Sequence, residues 1–163
     1  MNGTVLQVSA NQGGVPKRSV GRAYASFLGL EGDRQAHPWI HGGRKQALLI
    51  LTGEGIRELE AQGFAVRPGS LGENITTHGI DRADFRIGMK LRIGEALVEI
   101  TKPRQPCKQL DIYGKGLIQP AVFDAECKKG NHESPRWGLG GFYASVLEPG
   151  WIAEGDAVAI VAG

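Results

Sequence analysis

Glycine punctuates this chain from end to end, and no other feature narrows its fold so much. It supplies 25 of the 163 residues, about twice the usual ~7%. The glycines follow no collagen period and do not collect in a linker; they separate short apolar runs. A glycine inside a helix costs about 1 kcal/mol against alanine, so a helical bundle is a poor match. Tight turns between short strands suit the pattern better. An apolar share of 41% and a net charge of only +2 exclude intrinsic disorder. The length predicts one compact domain over residues 1–163, built on one core.

Lys and Arg alternate with acids along most of the chain, so no basic stripe marks a nucleic-acid binder. The start, Met1-Asn2-Gly3-Thr4-Val5-Leu6, lacks the basic and apolar regions of a secretory leader. No apolar run reaches the ~20 residues of a membrane helix. The expectation is a cytoplasmic protein that binds neither nucleic acid nor membrane. Cys107 and Cys127 are too few for a disulfide framework and are expected as free thiols.

Short apolar runs and period-2 patterning predict strands over 4–9, 20–27, 46–51, 88–93, 96–101, 140–147 and 155–160. The segments 88–93 and 155–160 resemble each other, each a glycine turn feeding a strand. Gly94-Glu95 makes a hairpin turn between 88–93 and 96–101. The clearest helix is 53–62, with Ile56 and Leu59 on one face, Thr52 as N-cap and Gly63 beyond its end. Pro106 is placed at the first position of a helix running toward Tyr113, and 118–127 as a further short helix. The sum is seven or eight strands and two or three helices.

Three segments carry chemistry. In Lys102-Pro103-Arg104-Gln105-Pro106-Cys107-Lys108, basic residues crowd the cysteine and no acid intervenes. Cationic neighbours and a helix N-terminus both favour a thiolate, which can ligate a soft metal or act as a nucleophile. The competing reading is a structural cysteine beside a proline turn. Cys127 reads as a passive helix-end residue or a resolving thiol. The loop 37–45 holds His37 and His41, but Pro38 and Gly42-Gly43 argue against a helical zinc pair. Its Gly-Gly-Arg-Lys run suits either an anion or a solvated turn. In Gly69-Ser70-Leu71-Gly72-Glu73-Asn74, Glu73 and Asn74 could meet a heterocycle edge or simply serve the turn. Gly13-Gly14-Val15-Pro16-Lys17 lacks the P-loop spacing, and no Ser-His-Asp order or nucleophile elbow is present.

Taken together, these fragments resemble the MOSC family, named for the C-terminal domain of molybdenum-cofactor sulfurase. The matching runs occur in family order: 13–17, 29–34, 41–43 with 46–47, 72–75, 87–88 with 91–94, 103–107, 141–144 and 155–156. The resemblance implies a mainly β fold, a barrel similar to the pyruvate-kinase β-barrel. It implies molybdenum cofactor, a pterin dithiolene ending in phosphate, with Cys107 as molybdenum ligand or as the carrier of a persulfide. Lys17, Arg34, Arg44 and Arg104 are the cations expected against the anion, and Asn74 and His41 the groups expected at the pterin edge. Met89 stands where members commonly carry Asp.

The sequence shows the core domain alone, so a homodimer would supply the missing wall of the cofactor site. Three functions compete. One is a reductase of N-hydroxylated or N-oxide-type small molecules, fed by a separate electron-donor reductase. Another is a sulfur carrier charged by a cysteine desulfurase. The last is non-catalytic cofactor binding.

Overall fold

The structure is a computed structural model and describes residues 2–33 and 43–162. Its strands are β1 (Asn2–Ala10), β2 (Arg18–Ser19), β3 (Arg22–Ser26), β4 (Gly29–Leu30), β5 (Leu48–Thr52), β6 (Ile75–His78), β7 (Lys90–Ile93), β8 (Ala96–Pro103), β9 (Phe142–Glu148), β10 (Gly150–Ala153) and β11 (Ala157–Ala162). Seven of them pair in the order β11-β7-β8-β9-β5-β6-β1, and β1 pairs back onto β11. This closes a barrel and leaves no open sheet edge between those strands. A small sheet, β10-β3-β4, lies beside it. The expected mainly β barrel is what the chain forms. The strands β2, β4, β6 and β10, of two to four residues each, lie outside the seven expected ones.

The glycine turns do the work expected of them. Gly94 has φ 55 in the two-residue loop joining β7 to β8, where Ile93 faces Ala96. The two similar segments, 88–93 and 155–160, become neighbours in the barrel: β7 and β11 pair antiparallel, with Ile93 opposite Val158. Only β5 and β6 run parallel among the barrel pairs, which requires a crossover. Helix α1 (Gly53–Ala61) supplies it. Thr52 caps α1 by accepting from the Gly55 N–H at 3.0 Å, and Gly63 leaves it at φ 103.

β5 is buried along its whole length, because both of its faces are covered. Leu48 and Ile50 point into the barrel with Phe85, Trp137 and Phe142. Leu49 and Leu51 point outward into a second apolar cluster with Ile56, Leu59, Leu110 and Val122. The single expected core is thus two cores separated by one strand layer. The outer one is closed by α1, by α2 (Ile118–Val122) and by the 3-10 turn Lys108–Tyr113.

Two helix expectations need correction. Pro106 does not open a helix; the 3-10 turn begins at Lys108. The Arg104 N–H donates to the Gly141 carbonyl at 2.8 Å, prolonging the extended path of β8, and a residue ahead of proline disfavours helix. The single helix expected over 118–127 is split into α2 and α3 (Ala125–Lys128). Phe123 is extended, and Asp124 caps α3 by accepting from the Cys127 N–H at 2.8 Å. A local side-chain hydrogen bond there outcompetes helix continuation.

Candidate functional site

β8 and β9 are paired with Lys102 opposite Tyr143 and Pro103 opposite Phe142. β5 pairs with the other edge of β9, setting Leu49 opposite Tyr143. Tyr143 therefore stands at the point where the 104–107 segment leaves the barrel. Two hollows meet there. An outer cleft of about 620 Å³ is lined by Lys102, Lys108, Lys128, Phe123, Cys127 and other residues of 46 and 102–109. An inner cavity of about 60 Å³ is lined by Gly14, Lys17, Leu71, Gly72, Asn74 and Arg104, among others. Cys107, Gln109 and Tyr143 line both. Cys107 is half-buried, so its sulfur belongs to the neck between the two hollows.

Arg104 is buried, with 5% of its surface exposed. One guanidinium nitrogen, Nη2, donates to the Leu71 carbonyl. Nε has no hydrogen-bond partner among the described residues. Burial pulls this guanidinium below its ordinary pKa, opposed by the nearby Tyr143, Cys107 and Glu73. An arginine nevertheless stays charged in a protein. A buried cation with an unspent donor is costly unless something anionic completes it.

The wall opposite is the 69–74 loop. Glu73 is fully buried; its Oε2 accepts from the Gly69 N–H and the Thr76 hydroxyl, each at 2.8 Å. Its Oε1 has no partner among the described residues. Burial raises the Glu73 pKa, against those hydrogen bonds and Arg104. Gly69 lets this loop touch the 13–17 segment: its φ is 91, and a side chain there would strike the Lys17 carbonyl. The Lys17 N–H donates to the Gly69 carbonyl at 2.9 Å. Tyr143 is also buried, and burial raises its pKa, opposed by Arg104. Its phenol therefore carries its proton at neutral pH.

The structure brings four of the expected residues, Lys17, Asn74, Arg104 and Cys107, onto the inner cavity. Two of these are already committed within the protein. Lys17 Nζ pairs with Asp33 at 2.7 Å, both side chains 6% exposed. Asn74 donates to the same Asp33 carboxylate at 2.8 Å and accepts from the Leu49 N–H at 3.0 Å. Arg44 lines neither hollow; it sits exposed in the 3-10 turn Arg44–Gln46 with its guanidinium 4.8 Å from the Phe27 ring centre. Arg34 and His41, with His37, lie outside the described residues. Among the described residues no three His, Cys, Asp or Glu side chains stand together as a metal site.

Sequence reasoning gave no role to Tyr143, Gln109 or Asp33. A signal for Tyr143 existed in the run 141–144. Asp33 follows a glycine turn and looks like any turn residue.

The fold is a closed seven-stranded barrel with a thiol and a buried guanidinium on one cavity. The family model described as MOSC domain matches residues 37–159, and the chain belongs to that family. At the level of the family, MOSC domains are associated with molybdenum-cofactor-related ligands. YflK of Bacillus subtilis is 32% identical over 87% of this chain and 60% of its own length. YiiM of Escherichia coli is 35% identical over 57% of this chain and 43% of its own length. Its crystal structure superposes with a TM-score of 0.68 at 26% identity, covering 100% of this chain and 71% of that one. The chain thus spans about half the length of the curated relatives it matches. Among the described residues no helix is long and apolar enough to cross a membrane.

Proposed function

We propose that the chain binds molybdenum cofactor with Cys107 as the protein ligand to the metal, and reduces N-hydroxylated or N-oxide-type small molecules. The observation that carries this reading is the pairing of two groups on one cavity: a half-buried thiol, and a buried guanidinium with an unspent Nε donor. The residues present fit an anionic cofactor. Cys107 offers a soft sulfur, Arg104 a charge-assisted donor, and Lys17 and Asn74, held by Asp33, a fixed polar wall. When bound, the cofactor supplies a metal that passes two electrons from donor to substrate.

The chain's own residues then have separable tasks. Arg104 stabilises negative charge in the cavity. Tyr143 holds a proton on its phenolic oxygen beside Cys107. The outer cleft admits the substrate to that neck. The overall change is R–NHOH + 2e⁻ + 2H⁺ → R–NH₂ + H₂O. The electrons come from a separate reductase, the two protons come through the cleft, and the N–O bond is the one that breaks.

The test is elemental analysis of protein made in a host that synthesises the cofactor. The native chain should retain molybdenum and Cys107→Ala should not. Molybdenum-loaded protein that fails to reduce hydroxylamine with an artificial electron donor removes the reductase reading. A second reading has one observation in its favour: Cys107 lines the open cleft, where a partner protein's sulfur donor could reach it. On that reading a cysteine desulfurase leaves a persulfide on Cys107, seen as a mass gain of roughly 32 Da. If Cys107→Ser keeps full affinity for the cofactor, the chain is a non-catalytic binder instead.

A further inference from the structure

Arg104 and Glu73 are buried opposite charges held by one turn. The Leu71 carbonyl accepts from Arg104 Nη2, and the Gly69 N–H donates to Glu73 Oε2 at 2.8 Å. Arg104 Nε and Glu73 Oε1 have no hydrogen-bond partner among the described residues, and each charge favours the ionised form of the other. The other groups around Glu73 cannot take the part of Arg104. Lys17 meets the same turn through its backbone N–H and spends Nζ on Asp33 at 2.7 Å. Tyr113, on the 3-10 turn, donates its hydroxyl to the Ser70 carbonyl at 2.6 Å. Burial raises its pKa and Glu73 adds to the rise, so the phenol stays neutral. Arg67 is exposed and acts on Tyr113, and Thr76 offers Glu73 an uncharged hydroxyl. Among the described residues Arg104 is thus the one cation that supports a Glu73 carboxylate. An anion arriving at Arg104 Nε competes with Glu73 for that charge. A buried carboxylate deprived of its counter-charge is more stable as the neutral acid.

We infer that Glu73 is the counter-charge of Arg104 in the ligand-free chain, and that it gives up this role by taking a proton when an anion meets Arg104. The proton comes from solvent and ends on the Glu73 carboxyl; no other bond changes. Glu73 is therefore a positioning residue, which acts through Arg104 and touches no ligand. Anion binding becomes coupled to proton uptake, and binding of an uncharged ligand does not. The inference rests on the part of the proposed function that sets an anion against Arg104, and not on the reduction.

The experiment titrates the full chain, made in a host that lacks the cofactor, with sulfate, an anion that holds no titratable proton at neutral pH. Calorimetry in buffers of different ionisation enthalpy counts the protons. The native chain should take up a proton, approaching about one per sulfate bound, and its affinity should fall by up to about tenfold per pH unit as pH rises. Glu73→Gln should bind sulfate with no proton uptake and a flat pH profile, and Cys107→Ser should keep the native uptake. Infrared difference spectra of the native chain should show a protonated-carboxyl band appearing with sulfate, a reading that needs no variant to fold. Four results each overturn the inference: no saturable sulfate binding, no proton uptake or carboxyl band in the native chain, uptake that survives in Glu73→Gln, or uptake that vanishes in Cys107→Ser because the thiolate was the acceptor. Molybdenum content of the chain made with cofactor reads the cofactor proposal separately. Proton-coupled sulfate binding in a chain that never retains molybdenum would keep this inference and remove that one.

Discussion

Cys107 and Cys127 line the same cleft, yet their surroundings have opposite character. Around Cys127 no buried side-chain nitrogen or oxygen lacks a partner among the described residues. Asp124 accepts from the Cys127 N–H and from the Ser134 hydroxyl at 2.7 Å, and the Cys127 thiol meets Ser134 at 3.4 Å. The side chain is 1% exposed, and burial pushes its thiol pKa up. Around Cys107 the chain is irregular, the sulfur is half-buried, and nearby Arg104 and, beyond it, Glu73 each keep one buried polar atom without a partner among the described residues. Satisfied polar groups fix a structure; unsatisfied ones in a cavity await a ligand. The difference teaches that residue type alone does not make a reactive site. The thiol to watch is the one beside unfinished hydrogen bonding.

Molybdenum retention gives the largest contrast. Cys107→Ala should lose the metal, and Cys127→Ala should keep it; equal loss in both would break the comparison. Alkylation comes next. Labelling of Cys127 by iodoacetamide has to wait for local opening, so it should lag Cys107 by about a hundredfold or more in the native state, as peptide mass spectrometry of a time course would show.

A third test loosens the Cys127 side. Asp124→Ala removes the α3 cap and should cost about 1 kcal/mol in chemical denaturation. The Cys127 N–H and the Ser134 hydroxyl hold the Asp124 carboxyl below its ordinary pKa of 3.8. Its contribution is therefore present above that pH and is lost as pH falls through the depressed value. The gap between native and variant should close in acid.

The smallest effect concerns Glu73. Burial raises its pKa above the ordinary 4.5, so the native state favours the protonated carboxyl. Its folding advantage is full below 4.5 and declines as pH rises through the raised value. Glu73→Gln keeps an amide oxygen for the Gly69 N–H and removes the ionisation. Its melting temperature relative to the native chain should be highest at neutral to alkaline pH, and the difference should shrink on acidification. A difference independent of pH would mean that Glu73 is ionised at no cost and that its Oε1 is not an unmet acceptor.

Much of the barrel was legible in the sequence. The Gly94-Glu95 hairpin, the Thr52 cap and the likeness of 88–93 to 155–160 each depend on residues within a few positions of one another. That those two segments pair, as β7 and β11, was not legible in them; the closed barrel decides it. The site was legible in part. Cys107 announced itself by its basic neighbours, but the expected helix at Pro106 gave way to the Arg104–Gly141 hydrogen bond. Lys17 and Asn74 were given roles by motif position, whereas Asp33, though inside the matching run 29–34, was given none, because its bonds to them span 16 and 41 residues.

The sequence by itself determined where the chain turns, which faces are apolar, and which thiol sits among cations. Those properties come from backbone freedom at glycine, side-chain period and local charge, all of short range. Only the tertiary structure decided that Tyr143 stands beside Cys107, that Arg104 reaches a carbonyl 33 residues away at Leu71, and that its Nε is left unspent. Strand register set those contacts, and register is fixed by burying one face of each strand across the whole barrel, a condition no local segment can state.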